Sequence, residues 1–414
     1  MTAKAESAAA GLRSILLATA VAGALGYVIQ LAAPALIADD ASYVTFSVYW
    51  STLYLCVAAL SGVQQEVTRA ARPVTDEPPT AVLRQFTLIM VGIVVAVVAV
   101  LALLFGESIL PGPTLMLAGA LSLGVVGYLM IAVLSGVLYG LRLWSAVAWI
   151  TVLDVGIRTL LVLGGLVAGW APEWIALAVS LPFGIAFLIV WLWIRGRVVG
   201  AFRLDVPLRR LLAHVGGTVV AAAAMGVMMN GLPMLLGITT GASDTAALAG
   251  LILAITVTRA PIVVPLLALQ SYLISLLRGG GAVTRRRVLI ALGIALVAVI
   301  ALSGAAAALG PWAIGFVSSG RSDVDAAMMA TITAGAGLVA MMCVTGPALL
   351  SARRHAPYVA GWVVAAALTI VCLLLPVGLE SRVALTLLVP PAVGVVVHVA
   401  AIWWAREPSV EAAG

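Results

Sequence analysis

Arg158 and Arg259 each lie near the middle of an apolar stretch long enough to cross a bilayer. A guanidinium keeps its proton there, and placing one at the centre of a membrane helix costs about 2.5–3.5 kcal/mol on insertion scales. Such a charge persists where it meets water, a counter-ion or an anionic ligand. Asp154 precedes Arg158 by one helical turn, so this pair can largely neutralise itself on a single face. Two roles stay open for it: a cavity arginine oriented by an aspartate that takes a proton, or a structural pair that makes its helix insertable. Arg259 has no such neighbour. Counted from Asp244 at 1.5 Å per residue it stands about 22 Å into its helix. One turn away lie only Ile255, Thr256, Ile262 and Val263. Its charge must be met by another helix (Asp154 is one choice), by water or by a ligand. Pro261 and Pro265 follow at once, and each removes a helical hydrogen bond, which bends a helix and can mark a gate. The expectation is a phosphate-binding arginine beside a flexing gate. Were Arg158 to face the same space, one pyrophosphate would bridge the two halves of the chain.

Other polar residues are candidates of lower weight. Gln30, Gln64, Gln65, Asn230 and Thr258 could bond sugar hydroxyls or link neighbouring helices, where such bonds are worth about 0.6–2 kcal/mol. Glu66 is close enough to Arg69 to pair with it, and His214 and His398 stand alone in apolar surroundings. The three cysteines, Cys56, Cys343 and Cys372, all fall inside apolar segments without a CxxC or Cys/His spacing, which argues against a zinc site or a disulfide framework. No GxxxxGK loop is present to cradle a nucleotide phosphate. Neither a cofactor nor enzymatic activity is expected.

The elements that position these residues follow from composition. With 64% of the residues apolar and 9% charged, a water-soluble domain would have to carry hydrocarbon on its surface. The bilayer is the fitting solvent, and helices fit it because each satisfies its own backbone polar groups. The net charge of +6 does not indicate nucleic acid, since the basic residues sit in short clusters between apolar runs. Twelve apolar stretches are expected as spans, at 12–37, 43–68, 83–106, 114–141, 143–169, 173–195, 208–238, 244–277, 288–310, 323–352, 357–378 and 382–405. The first is too long for a signal-peptide core. Turn residues separate them, as at Pro78-Pro79, Pro111-Gly112-Pro113, Ala171-Pro172, Gly279-Gly280-Gly281 and Ser319-Gly320.

Outside the spans, the basic residues fall on one side of this pattern except Arg321 and Arg382, and acids such as Asp39, Asp40, Glu107, Glu173, Asp244 and Glu380 collect on the other. The positive-inside rule then places both termini in the cytoplasm. The loops are too short for a globular domain. The segment from Gly196 to Arg203 mixes basic and apolar residues, as a plain linker or a stretch along the inner headgroups would.

Patterns also recur at about half the chain length. Trp191-Leu-Trp-Ile-Arg195 closes the sixth span, and Ile402-Trp-Trp-Ala-Arg406 closes the twelfth. Ser135-Gly136 followed by Arg142 corresponds to Thr345-Gly346 followed by Arg353. Six spans per repeat is an even number, so both repeats insert in the same direction, with a substrate path between them. The expected fold class is an all-α polytopic membrane protein of about 12 transmembrane helices in two six-helix lobes, residues 1–200 and 201–414.

Several passages resemble the multidrug/oligosaccharidyl-lipid/polysaccharide (MOP) exporter superfamily, and within it the Wzx-like polysaccharide-biosynthesis flippases. They are Gly62-Val-Gln-Gln-Glu-Val-Thr-Arg69, Ser135-Gly-Val-Leu-Tyr-Gly-Leu-Arg142 with Asp154-Val-Gly-Ile-Arg158, Val257-Thr-Arg259-Ala-Pro261 and Leu309-Gly-Pro-Trp312. The resemblance implies two bundles forming a V around a cationic central cavity in a bacterial plasma membrane. It also implies export of a polyprenyl-phosphate- or pyrophosphate-linked saccharide from inner to outer leaflet, beside enzymes of envelope glycan biosynthesis. On this reading Arg259, Arg158, Asp154, Gln30, Asn230 and Gln64 meet the substrate, and Pro261 and Pro265 gate it. A cation-coupled drug exporter of the same superfamily is the alternative and calls for an acid embedded in the first span; Asp39 and Asp40 lie only at its outer end. A glycosyltransferase or polymerase needs a sizeable outer loop with catalytic acids, and a major-facilitator transporter needs a Gly/Asp/Arg-rich loop after the second span; neither is present.

The orientation is open to a direct check. In a cysteine-free background, Ala171→Cys should react with a membrane-impermeant maleimide on intact cells, and Ala201→Cys only after lysis. The opposite pattern would invert the topology.

Overall fold

A computed structural model describes residues 8–74, 81–109, 113–240, 244–268, 281–318, 320, 324–352 and 354–404. Among these the chain forms thirteen helices and two short strands: α1 (Ala8–Leu36), α2 (Asp40–Ala70), β1 (Ala71–Pro73), α3 (Val82–Ile109), α4 (Thr114–Gly140), α5 (Trp144–Val167), α6 (Pro172–Val198), β2 (Phe202–Leu204), α7 (Leu208–Asn230), α8 (Leu232–Thr239), α9 (Thr245–Ala268), α10 (Gly281–Val317), α11 (Ala326–Ser351), α12 (His355–Leu373) and α13 (Leu379–Trp403). Twelve of the helices are long and apolar enough to cross a membrane. The protein is therefore a multi-pass membrane protein whose spans match the apolar stretches of the sequence. The expected turns at Pro78-Pro79, Pro111-Gly112 and Gly279-Gly280 lie outside the described residues, as do Ser319 and the end of the eighth stretch beyond residue 268.

Two stretches differ from the expectation in detail. The seventh, 208–238, is two helices, because Gly231 closes α7 and Pro233 sits in the first turn of α8, where a proline's missing N–H does no harm. The ninth runs past residue 310 to Val317, with Pro311 inside the helix. Elsewhere, local chemistry sets the ends. Asp39 caps α2 by accepting from the Ser42 backbone N–H at 2.8 Å, and Asp325 caps α11 through Met328 in the same way. At the end of α5, Gly169 adopts a left-handed φ of 69°, and the Trp170 N–H returns to the Gly165 carbonyl at 2.9 Å.

The chain divides into two compact units, Met1–Ala249 and Gly250–Gly414. In the first, α4 packs on α6 and α2, α1 on α5, and α2 on α7 and α8. Contact thus groups α7 and α8 with the first six spans, beyond the point where the sequence pattern begins to repeat. In the second unit, α10 packs on α11, α11 on α13, and α12 on α13. The helices α3 and α10 turn large apolar side chains outward, among them Leu103, Leu104, Val297 and Ile300, as lipid-facing helices do.

Two features of the first unit were not visible in the sequence. The residues after α2 and before α7 form a two-stranded antiparallel ribbon in which Arg72 lies opposite Arg203. Arg72 Nε donates to Asp205 Oδ2 at 3.0 Å, which offsets the like charge across the ribbon. The basic segment expected as a linker or a headgroup-lying stretch therefore ends in a strand. The α2–α7 seam is also close: a Cβ on Gly62 would stand 2.8 Å from the α7 backbone at Thr218 and Val219.

Gly62→Val should accordingly wedge this seam and lower stability by about 1–3 kcal/mol, measured by thermal unfolding in detergent. Gly119→Ala, on an open face of α4, is the matched control and should be neutral. Equal melting temperatures for the two variants would show that the seam tolerates separation.

Candidate functional site

Arg158 is enclosed in the first unit, with 1% of its surface exposed. Three helices position it. From its own helix α5, Asp154 Oδ2 accepts from Nη1 at 3.0 Å and Oδ1 from Nη2 at 2.5 Å, a bidentate fork. From α6, the Val179 carbonyl accepts from Nε at 2.9 Å, although that carbonyl lies within a helix. From α2, the Tyr54 hydroxyl accepts from Nη1 at 3.0 Å. Phe183 of α6 offers its ring face 4.1 Å from the guanidinium carbon, and the Tyr54 ring lies 5.7 Å away. Both carboxylate oxygens of Asp154 serve Arg158. The arrangement balances the charge in place and ties α2, α5 and α6 together.

Tyr54 and Phe183 escaped the sequence reading. The available signal for Tyr54 was the ladder Phe46, Trp50, Tyr54, spaced one turn apart on α2. In the structure these rings are neighbours, with centroids at 5.7 and 4.8 Å. Phe183 is brought to Arg158 only by the packing of α6, and nothing local announces it.

A second polar junction lies on the α2–α7 seam. Glu66 is buried, and one of its oxygens accepts from Arg69 Nη1 at 2.8 Å and from the Thr218 hydroxyl of α7 at 2.6 Å. The expected Glu66–Arg69 pairing is present, and Thr218 extends it to a second helix. Toward the other end of the seam, the Ser51 hydroxyl donates to the backbone carbonyl of Asn230 and accepts the Met234 N–H at 3.1 Å. Asn230 thus meets α2 through its main chain, and its half-buried amide ends α7. Gln30 on α1 and Gln64 on α2 are half-buried, and Gln65 is exposed. In the second unit, His398 is buried between a contact with the Thr345 hydroxyl at Nδ1 (2.9 Å) and donation to the Tyr358 carbonyl from Nε2 (3.1 Å), a packed role.

Arg259 belongs to the second unit and lies half-buried on α9. It is the sole charged residue of that helix. Ile255 and Val263, one turn to either side, are buried. The helix continues through Pro261, which is exposed, and through Pro265, whose side chain lies outside the described residues. Each proline withholds one N–H from the helical ladder.

The first unit also holds two cavities. One, of about 260 Å³, opens at the Asp39 end between Phe46, Tyr49 and Trp170. There the Ser42 backbone N–H holds the Asp39 carboxyl below the usual carboxylate range. The other, of about 600 Å³, lies at the arginine-rich end between α3, α4 and α6 and is lined almost wholly by apolar side chains. No group of three or more metal-ligating side chains occurs among the described residues.

With this geometry in hand, comparison with known proteins places the chain. No protein-family model matches it. The uncharacterised protein Rv1510 of Mycobacterium tuberculosis H37Rv is 33% identical over 408 residues, covering 94% of this chain and 90% of the relative. The uncharacterised protein Mb3654 of Mycobacterium bovis is 33% identical over 400 residues, covering 93% and 90%. The chain belongs to the family of these mycobacterial proteins. Among solved structures, the lipid II flippase MurJ in an inward closed conformation superposes with a TM-score of 0.65 at 12% identity, over 93% of this chain and 87% of that one. An outward-facing MATE multidrug resistance transporter of the MOP superfamily gives 0.57 at 14% identity, over 96% and 97%. A MOP-superfamily transporter from Pyrococcus furiosus gives 0.57 at 13%, over 95% and 97%. At these identities the likeness is one of fold: the chain has the fold of MOP-superfamily transporters.

The Arg158 tie makes a stability prediction. Arg158→Ala leaves Asp154 enclosed without its counter-ion and should destabilise the protein by about 3–5 kcal/mol, seen as a lower melting temperature and a lower folded yield. The double replacement Asp154→Leu/Arg158→Met removes both charges and should recover most of that loss. An unchanged melting temperature in Arg158→Ala would end the structural role of the pair.

Proposed function

We propose that the protein is a flippase that moves a polyprenyl-phosphate- or pyrophosphate-linked saccharide from the cytoplasmic to the outer leaflet of the plasma membrane by alternating access. The observation that carries the reading is Arg259, a charge at mid-span on a helix with no carboxylate of its own. A guanidinium in that position is a site at which an anionic ligand inside the membrane can bind, and a lipid phosphate is such an anion. Guanidinium binds phosphate through two parallel hydrogen bonds, which favours arginine for the task. The similarity in fold to a lipid II flippase supports the same class of cargo. The first span, α1, contains no acid, which weighs against a cation-coupled drug exporter.

In this reading Arg259 receives the headgroup phosphate, and Pro261 and Pro265 let α9 flex as the cargo enters and leaves. Arg158 and Asp154 serve by holding α2, α5 and α6 in register. Gln30, Gln64 and Asn230 offer hydrogen-bonding groups to the glycan. The basic loops face the cytoplasm, where enzymes of envelope glycan assembly would supply the substrate.

Arg259→Ala should abolish translocation of the lipid-linked saccharide in proteoliposomes or cells while insertion and purification stay normal. Arg259→Lys should retain part of the activity, since a point charge holds phosphate without the planar fork. Full activity in Arg259→Ala would remove this residue from the mechanism. Mass spectrometry of lipid copurifying with wild-type protein should find a phosphorylated polyprenol bearing sugar.

A further inference from the structure

The 600 Å³ groove between α3, α4 and α6 takes no part in the reading above, and its chemistry is two-sided. Its wall is apolar: Leu88 of α3, Val133 and Val137 of α4, and Leu188 and Trp191 of α6, with Phe202 of β2 as the floor. Leu88 and Leu188 are 65% and 54% exposed, so the groove opens where the helices face the hydrocarbon. The single charged residue in its lining is Arg84, in the first turn of α3. A second guanidinium lies on the same side. On α6, Leu188, Trp191, Arg195 and Val198 follow the three-and-four spacing of one helical face, and three of these four line the groove, which puts Arg195 on its rim in the last turn. Both arginines are exposed, and neither enters an ion pair among the described residues. Trp191 at this level is the usual anchor of a membrane–water boundary.

An apolar trough that ends in two unneutralised guanidiniums at headgroup depth is complementary to a molecule with a hydrocarbon chain and a negative head. We infer that this groove is a binding site for an anionic glycerophospholipid of the arginine-side leaflet, with one acyl chain along α3, α4 and α6 and the phosphate between Arg84 and Arg195. The inner leaflet offers such lipids at high local concentration, and each surface cation adds to their attraction. The site lies within the first unit and is independent of the assignment of Arg259, so either idea can fail without the other.

The test uses the full chain in nanodiscs or detergent, with native mass spectrometry to count bound phosphatidylglycerol and phosphatidylcholine. Wild-type protein should retain phosphatidylglycerol in preference to phosphatidylcholine. Arg84→Ala/Arg195→Ala should lower phosphatidylglycerol retention about tenfold or more, and Arg84→Lys/Arg195→Lys should keep most of it. Leu88→Trp, which fills the trough from an exposed position, should reduce retention with both arginines intact. Elution of each variant at the wild-type volume in size-exclusion chromatography shows that the fold survives. Equal retention of the two phospholipids, or undiminished retention in the double alanine variant, would overturn the proposal. So would complete displacement of phosphatidylglycerol by polyprenyl phosphate, which would make the groove a cargo site. Lipid that is lost only when a dimer dissociates would make it an interface between copies.

Discussion

A guanidinium keeps its charge at any accessible pH, so α5 crosses a membrane only if Arg158 carries its compensation with it. That requirement organises much of the first unit. Asp154 supplies the counter-charge one turn away, but a carboxylate fork alone leaves other N–H groups to be met in a medium without water. The Val179 carbonyl and the Tyr54 hydroxyl meet two more of them, and they belong to α6 and α2. Helices α2 and α6, which share little direct packing, are therefore bound to α5 and to each other through one polar knot. Around it the surfaces are small or aromatic, and the Tyr49 hydroxyl lies 2.6 Å from that of Ser180 on the same pair of helices, α2 and α6.

The contrast between the two mid-membrane arginines frames the functional reading. Arg158 is balanced inside a single unit by groups fixed in the fold. Arg259 is carried by a helix without acids that runs on through two prolines, each of which removes one hydrogen bond from its ladder. Under the proposed function the first of these charges holds the scaffold together and the second receives the cargo.

How much of this was legible depended on the range of the interaction. Spans are set by runs of about twenty apolar residues, a local property, and they emerged from the sequence with small errors at their ends. The break after Asn230 was also local, since Gly231 and Pro233 are both helix punctuators, yet it was hidden by the apolar residues on either side. The Asp154–Arg158 pair was readable because its partners are one turn apart. Tyr54, Phe183 and Thr218 were not, because each reaches its partner from a different helix over a hundred residues away, except Phe183, which is only one helix removed and still gives no local sign. The β1–β2 ribbon was missed for the same reason: three-residue strands carry no periodicity, and their pairing joins positions 71–73 to 202–204.

That ribbon has a mechanical consequence. It begins directly after α2 and ends just before α7, so the arginine-rich ends of these two helices are joined by main-chain hydrogen bonds in addition to the Glu66–Thr218 contact. At the far end the seam is held by the Ser51 hydroxyl and by close packing, with Gly226 of α7 against Ala58 and Gly237 of α8 against Val48. The ribbon is a clasp made of main chain, so it does not depend on the side chains of Glu66 and Thr218 and by itself keeps the arginine-side ends of α2 and α7 together.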